Sequence, residues 1–315
     1  MSTVQIIKGL LTFALPRSMY SRHTGGTDSA RYCYSVFLRH LVRIHAATGS
    51  VPLGSIAELG PGDSLGVGLA ALIAGAERYH AFDVAPFSSA ARNLRVFDEL
   101  VGLFRERADL PGRSEIPEIK PAISDERFPG HILSHERMAR ALDPARIASL
   151  RLDLSGDRGG NGNSVSYVAP WFDPATVQDE TLDWIFSQAV MEHVDDLKTT
   201  YEICYRWLKP GGLMSHQIDF RSHGTAPSWD GHRAYGDLAW WMVRGARPYL
   251  INRAPLSAHR TIPQAQGFEI IDQVLIPGDP TVAPAKLAPR FRSWRGQDIS
   301  TTGAFILYRK PVAGQ

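Results

Sequence analysis

The chain is poor in cysteine: Cys33 and Cys204 are its only two. They stand far apart without ligand-type spacing, which excludes a thiolate metal cluster read from sequence and leaves no pairing to infer. Such usage fits a reducing cytoplasm, with both residues expected as core thiols. Long apolar runs are also missing, and none approaches the roughly 18 residues a spanning helix needs. The N-terminal stretch Ile6–Leu15 is apolar but short, and no basic segment precedes it, which argues against a signal peptide. It is expected either to pack on its own domain or to make a peripheral membrane contact. An excess of one charge is lacking too: the net charge is +2, and the arginines are scattered rather than striped. Nucleic acid is therefore not an expected partner. The chain shows no internal repeat and no low-complexity tract.

What remains is a sequence of 315 residues, 44% of them apolar, enough for one large domain with insertions or two modest ones. Residues 1 to about 54 read as a helical cap. Thr27 or Asp28 can start a helix whose apolar positions Tyr32, Val36, Phe37, Leu41 and Ile44 recur with helical period, and Gly49 can stop it. From Ser55 onward short apolar runs alternate with helical segments. Ser55–Leu59 reads as a strand, Ser64–Ala76 as a helix and Tyr79–Asp83 as a second strand, which together make a βαβ unit with parallel strands. A helical insertion over about 84–163 follows, containing an amphipathic helix around Leu94–Phe104, a helical piece near Ile132–Leu142 and a Gly/Asn-rich turn at Gly159–Asn163; we expect it to act as a partial lid. Strands are expected again at Ser164–Val168, Leu182–Ser187 and Leu213–Asp219, the last preceded by a Lys-Pro-Gly-Gly turn. Gly267–Ile271 and Thr302–Tyr308 read as closing strands.

The stretch Glu58-Leu-Gly-Pro-Gly-Asp-Ser-Leu-Gly66 carries the functional signal. A dinucleotide turn would place glycine where Leu65 stands, and a Walker loop would need Gly-Lys-Ser/Thr, so pyrophosphate is a poor ligand for it. An acid beside the turn suits a cationic ligand instead. S-adenosyl-L-methionine carries an ammonium and a sulfonium and no phosphate. With Glu58, Gly60 and Gly62 in an acid-x-Gly-x-Gly pattern, the chain resembles the class I S-adenosylmethionine-dependent methyltransferases. Ser64 stands in place of a third glycine and is expected to cap the following helix.

Asp83 ends the second strand, where the family's acid holds both ribose hydroxyls. The blocks Asp183–Ser187, Val190–Val194 and Leu208–Gly212 resemble the family's fourth and fifth strands. The resemblance covers about 55–104 and 164–275, with Thr302–Tyr308 as the last strand. It implies a Rossmann-like α/β fold, a mainly parallel doubly wound sheet, over 55–315, and a cofactor site of Glu58, Gly60, Pro61, Gly62, Asp63, Ser64, Asp83, Val84, Val168, Ala169, Ser187 and Gln188.

The expected reaction is methyl transfer to oxygen of a small molecule such as a sugar or glycan precursor. C- or N-methylation of a small metabolite and a non-catalytic cofactor-binding role are the alternatives. His193 or His223 is the expected general base, with Asp219 orienting it or touching substrate. A divalent-ion motif, Glu-x-x-Glu-His, known in some class I O-methyltransferases, is incomplete here because Ala189 replaces the first Glu; Glu192 and His193 remain, and Asp219 or His223 could supply a further ligand for Mg or Zn, but no metal is assigned. Over about 221–266, Trp229, Tyr235, Trp240, Trp241 and Tyr249 are interleaved with Arg233, Arg244 and Arg247, which suits the substrate side.

Overall fold

The computed structural model describes residues 3–15, 26–155, 164–171, 173–247 and 249–312. The Gly159–Asn163 turn lies outside them. In chain order the elements are α1 (Thr3–Leu11), α2 (Ala30–Thr48), β1 (Ser55–Leu59), α3 (Gly66–Ile73), β2 (Arg78–Phe82), α4 (Ala90–Glu106), α5 (His135–Ala141), α6 (Pro144–Ser155), β3 (Val165–Val168), β4 (Leu182–Gln188), α7 (Leu197–Trp207), β5 (Leu208–Asp219), α8 (Asp237–Arg244), α9 (Leu256–Ala265), β6 (Glu269–Pro277) and β7 (Thr301–Arg309).

The strands form one seven-stranded sheet in the order β3-β2-β1-β4-β5-β7-β6. The first five are parallel, while β7 runs antiparallel to both β5 and β6. The expected doubly wound sheet is therefore present. One face is covered by α2, α3 and α4, whose Phe37, Leu72 and Phe97 pack on Ile56, Trp184 and Phe186. The other is covered by α7 and α9, with Tyr201, Trp207 and Leu256 against Ile185, Met214 and Ile306. Cys33 and Cys204 are free and buried in these two layers.

α3 shows why its sequence is so small-residue-rich. A Cβ on Gly68 would lie 2.0 Å from the Tyr79 ring, and one on Gly66 would lie 2.4 Å from Cys33 Sγ. Only glycine lets the helix approach β2 and α2 this closely.

Several local expectations are corrected. α2 is capped by Ser29, whose hydroxyl accepts from the Tyr32 amide, and not by Thr27 or Asp28. Gly49 does end it, in the left-handed conformation at φ 72°. The helix expected over Ser64–Ala76 spans only Gly66–Ile73, and its N-cap is Leu65. Lys209–Gly212 is not a turn before β5 but its irregular start: Gly211 donates to the Lys310 carbonyl, and pairing with β4 shifts between Leu182 and Trp184. The insertion is not uniformly a lid. α4 belongs to the sheet's covering layer, with Val96, Phe97, Leu100 and Phe104 in the core. The segment between α4 and α5 is fastened to α2 by buried Arg39, which donates to the carbonyls of Pro111 and Pro121 and pairs with Glu126 at 2.7 Å.

Candidate active site

The order of the sheet reverses between β1 and β4, so the chain leaves their C-terminal ends in opposite directions and opens a crevice there. The glycine turn lies on one side of it. Gly60 and Gly62 have φ of 67° and 76°. A Cβ on Gly60 would sit 2.6 Å from Val190 Cγ2, on the segment leaving β4, so the residue must be glycine for both conformation and space. Gly60 N donates to the Phe82 carbonyl at 2.8 Å, tying the turn to β2.

Asp83, 4% exposed, stands at the end of β2. One of its oxygens accepts from Gly62 N at 3.2 Å and the other from Val84 N at 2.7 Å. A carboxylate has about four acceptor positions, so two remain for a ligand's hydroxyls. Asp83 N donates to the Val168 carbonyl, which brings Val168 and Ala169 to the same end of the sheet.

Glu58 has a different task from the one its place in the motif suggested. It is 2% exposed, and its Oε2 accepts from the Tyr79 hydroxyl at 2.5 Å and from Gly68 N at 3.2 Å. Burial pushes its pKa up to about 8, against the pull of Tyr79 and Gly68. A carboxyl so placed is a strut between β1, β2 and the first turn of α3.

Ser64 is likewise not the N-cap, although its hydroxyl accepts from Gly66 N at 3.1 Å. Asn93 Oδ1 accepts from Leu65 N. Protein groups thus already take three amides at the start of α3. Asp63 places its carbonyl under Arg92, and Thr27 grips Ser64 from α2's approach, its Oγ1 accepting from Ser64 N at 3.1 Å.

Ser187 and Gln188, expected near the methionine moiety, turn toward the protein. Ser187 is fully buried with its hydroxyl 2.8 Å from His216 Nδ1. Gln188 Oε1 lies 3.2 Å from His40 Nε2, and its amide donates to the Lys120 carbonyl. Tyr32, on α2, also reaches Gln188; burial raises its phenol to about 12.

Beyond the crevice the structure brings the three proposed catalytic residues together. The rings of His193 and His223 lie 5.1 Å apart at 80°. His223 Nε2 is 3.7 Å from Asp219 Oδ1 and 4.0 Å from Glu192 Oε1. His193 Nδ1 is 2.8 Å from the Tyr249 carbonyl. A carbonyl only accepts, so Nδ1 carries the hydrogen and Nε2 the lone pair. Burial, then the neighbouring His223, lowers its pKa to about 4.

Burial pushes the Asp219 carboxyl up, but the nearby His223 and the hydrogen bonds from Arg221 outweigh it and hold the group well below the usual range. Glu192 is the opposite case. It is 3% exposed, neither oxygen has a partner, and burial raises it well above the ordinary carboxyl range. Glu192, His193 and His223 each offer one ligand atom, all within 4.8 Å of one another, so this set could hold a divalent cation.

Sequence reasoning named His193, His223 and Asp219 as catalytic, Glu192 with His193 as what is left of a divalent-ion motif, and the stretch holding Asn252 and Arg253 as substrate-side; it gave Glu192 and Arg253 no buried place. A narrow cleft, with room for little more than a water molecule as it stands, is lined by Glu192, Asp219, Arg221, His232, Arg233, Asn252, Arg253 and Trp294. Asn252 Nδ2 donates to the carbonyls of Met191 and Val194, which fastens the substrate-side loop to the end of β4. Three non-glycine residues here, Ala189, His223 and Arg253, have φ of 54°, 47° and 64°. Such conformations cost free energy, and they persist where the surroundings impose them.

Residues 142–215, which contain β3, β4 and most of β5, match the family described as methyltransferase domain. The matched stretch is less than a quarter of the chain, and the sheet order is that of a Rossmann-like α/β fold. One similar solved structure, phosphoethanolamine N-methyltransferase 2 of Haemonchus contortus, holds S-adenosyl-L-methionine. No curated protein matches the chain. Among solved structures the chain is similar to a putative sarcosine dimethylglycine methyltransferase from Galdieria sulphuraria, with 13% identity over 86% of this chain and 84% of the other, at a TM-score of 0.43. It is also similar to phosphoethanolamine N-methyltransferase 2 of Haemonchus contortus, solved with phosphomonomethylethanolamine and S-adenosylhomocysteine, with 16% identity over 91% and 59% of the two chains and a TM-score of 0.41. A third similar structure is the [4+2]-cyclase SpnF, with 14% identity over 87% and 81% and a TM-score of 0.41. Among the described residues no helix is long and apolar enough to cross a membrane.

Proposed function

We propose that this methyltransferase methylates a hydroxyl of a small acidic acceptor, a sugar or glycan precursor bearing phosphate or carboxylate, with His193 as general base. The observation that carries this reading is the Nδ1 bond from His193 to the Tyr249 carbonyl, which leaves Nε2 as a lone-pair donor at neutral pH. When bound, the donor supplies a methyl group already activated by its sulfonium. The chain's part is to hold the acceptor, exclude water and take the hydroxyl proton on Nε2. Asp219, ionised and fixed by Arg221, then faces the imidazolium across His223.

The cofactor cradle in this reading is Gly60, Pro61, Gly62, Asp83, Val84, Val168 and Ala169. Glu58, Asp63, Ser64, Ser187 and Gln188 support it from behind. The remaining acceptor capacity of Asp83 fits the ribose hydroxyls, and the close approach at Gly60 leaves backbone as the wall of the crevice.

The acceptor class follows from the cleft's charge. Arg233 and Arg253 are 2% and 4% exposed, and the Nε of each has no partner. Burial lowers both guanidinium pKa values to about 10, yet both stay cationic. Buried His232 is held neutral beside them, its pKa lowered to about 3 by burial and then by the two arginines. An anionic group on the acceptor would relieve this excess of positive charge. Trp294 and Trp229 stack near Arg233 and suit the face of a sugar ring.

A second reading rests on Glu192, whose two orphaned oxygens fit a divalent ion shared with His193 and His223. Chelation separates the two readings. Methyl transfer to a panel of phosphorylated, carboxylated and neutral sugars should favour the anionic members, and exhaustive chelation should leave that rate unchanged. A rate abolished by chelation and restored by a divalent ion would replace the general base with the metal. Turnover of neutral sugars alone would remove the acidic acceptor.

A further inference from the structure

Large apolar side chains are well hidden in this molecule except in one place. Of the eleven that stand exposed among the described residues, eight belong to α1, the turn after it and α8. The inner side of α1 is fully engaged: a Cβ on Gly9 would lie 2.0 Å from the Met242 carbonyl, and Thr12 Oγ1 accepts from Ala246 N at 2.7 Å. Its outer side presents Val4, Ile7 and Leu11, at 59%, 53% and 51% exposure. Phe13 continues that surface onto α8, with its ring 5.4 Å from Trp241, and Leu238 extends it at 72% exposure. The two elements thus form one raised apolar platform. This arrangement reconciles the two sequence expectations for the segment, since the helix packs on its own domain with one side and leaves the other bare.

Charge decides what covers the platform. Residues 1–27 contain Lys8, Arg17 and Arg22 and no Asp or Glu. Lys8 is exposed on α1 itself. A protein interface centred on α1 and its Lys8 would call for a matching acidic partner surface, whereas an anionic bilayer supplies negative headgroups and an apolar interior together. Trp241 adds an indole, the side chain that settles at the headgroup level. We infer that the α1–α8 platform seats the enzyme on an anionic lipid surface, with Val4, Ile7, Leu11, Phe13, Leu238 and Trp241 entering the acyl boundary. The platform also connects to the chemistry: the chain runs from α8 to Tyr249, whose carbonyl holds His193, and on to Asn252 in the acceptor cleft. Docking would present the cleft to acceptors carried at the membrane surface.

The test is co-sedimentation of the full chain with vesicles of phosphatidylcholine plus phosphatidylglycerol, against phosphatidylcholine alone. Wild type should sediment with the anionic vesicles, and added salt should weaken it. Ile7→Ser with Trp241→Ser should bind about tenfold more weakly or less, and Lys8→Glu should lose the preference for anionic lipid. Both variants change exposed residues, and unaltered melting together with unaltered donor binding confirms their fold. Since sedimentation needs neither donor nor acceptor, it fails or succeeds independently of the proposed reaction. Absence of wild-type binding, or equal binding by the double variant, would overturn the inference. So would a concentration-dependent dimer that the double variant abolishes, which would assign the platform to a second copy of the chain.

Discussion

The Tyr79 hydroxyl donates to Glu58 Oε2 at 2.5 Å, across the pair of strands that frames the glycine turn. Both groups are buried, and the same Glu58 oxygen receives Gly68 N from α3. The bond joins two strands and a helix at the point where the turn begins. Its removal by Tyr79→Phe should cost about 1–2 kcal/mol of stability, since a buried carboxyl loses a partner. Donor affinity should change little. Denaturant titration and calorimetry check the two halves; a large loss of donor affinity with unchanged stability would return Glu58 to a ligand role.

Gly60 is constrained twice, by φ of 67° and by Val190 at 2.6 Å from where a Cβ would stand. Gly60→Ala should therefore destabilise the protein by about 1–2 kcal/mol and reduce donor affinity markedly. Gly102, where a Cβ would meet nothing within 4 Å, is the control, and Gly102→Ala should be neutral or slightly stabilising. Thermal melts and donor titration on both variants provide the comparison.

Replacing His193 with Ala should lower turnover by about 10²-fold or more with donor affinity intact, the usual scale for a general base. His223→Ala should have a smaller effect, acting through Asp219 and His193. The pH profile adds a readout specific to the proposed role. A base lowered to about 4 stays unprotonated through neutrality, so the wild-type kcat/KM should hold as pH falls past 6.5 and fall only near 4. A profile breaking near 6.5 would assign the base to an ordinary, solvated histidine.

Stability should itself depend on acid. Burial lowers His40 and His193 to about 4, and His216, His232 and His259 to about 3. Their folded values lie below the unfolded one near 6.5, so the unfolded chain binds more protons in that interval, and stability is lost as pH falls from 6.5 toward 4. Glu58, raised to about 8, works in the other direction, losing its contribution as pH rises from 4.5 through 8. Glu192 and Asp83, also raised by burial, act with Glu58, but the five histidines outnumber these three carboxyls, so the melting temperature should fall steadily from pH 6.5 to 4. A flat melting curve there would show that these imidazoles are more hydrated than their burial implies.

Much of this architecture is legible in the sequence, for identifiable reasons. β1 falls on Ser55–Leu59 as read, because a short buried segment ends abruptly at the glycine turn that follows it. Gly49 and the two turn glycines declare themselves because their conformations demand that residue. Side-chain direction is what the sequence withholds. Nothing in the order of residues says that Glu58 turns to Tyr79, 21 positions away, or that Ser187 turns to His216. The burial of Arg253 and Glu192 is withheld for a related reason: a charged residue in a loop reads as solvated until the fold encloses it. The irregular start of β5 is misread because Pro-Gly-Gly signals a turn locally, while β7 draws it into the sheet through Lys310.

The most direct test of the account is calorimetric titration of the purified chain with S-adenosyl-L-methionine and with S-adenosylhomocysteine. The account predicts saturable binding of both at one site, lost or greatly weakened in Asp83→Ala, while the Tyr79→Phe variant still binds. Absence of binding to either compound, or undiminished affinity in Asp83→Ala, would contradict it.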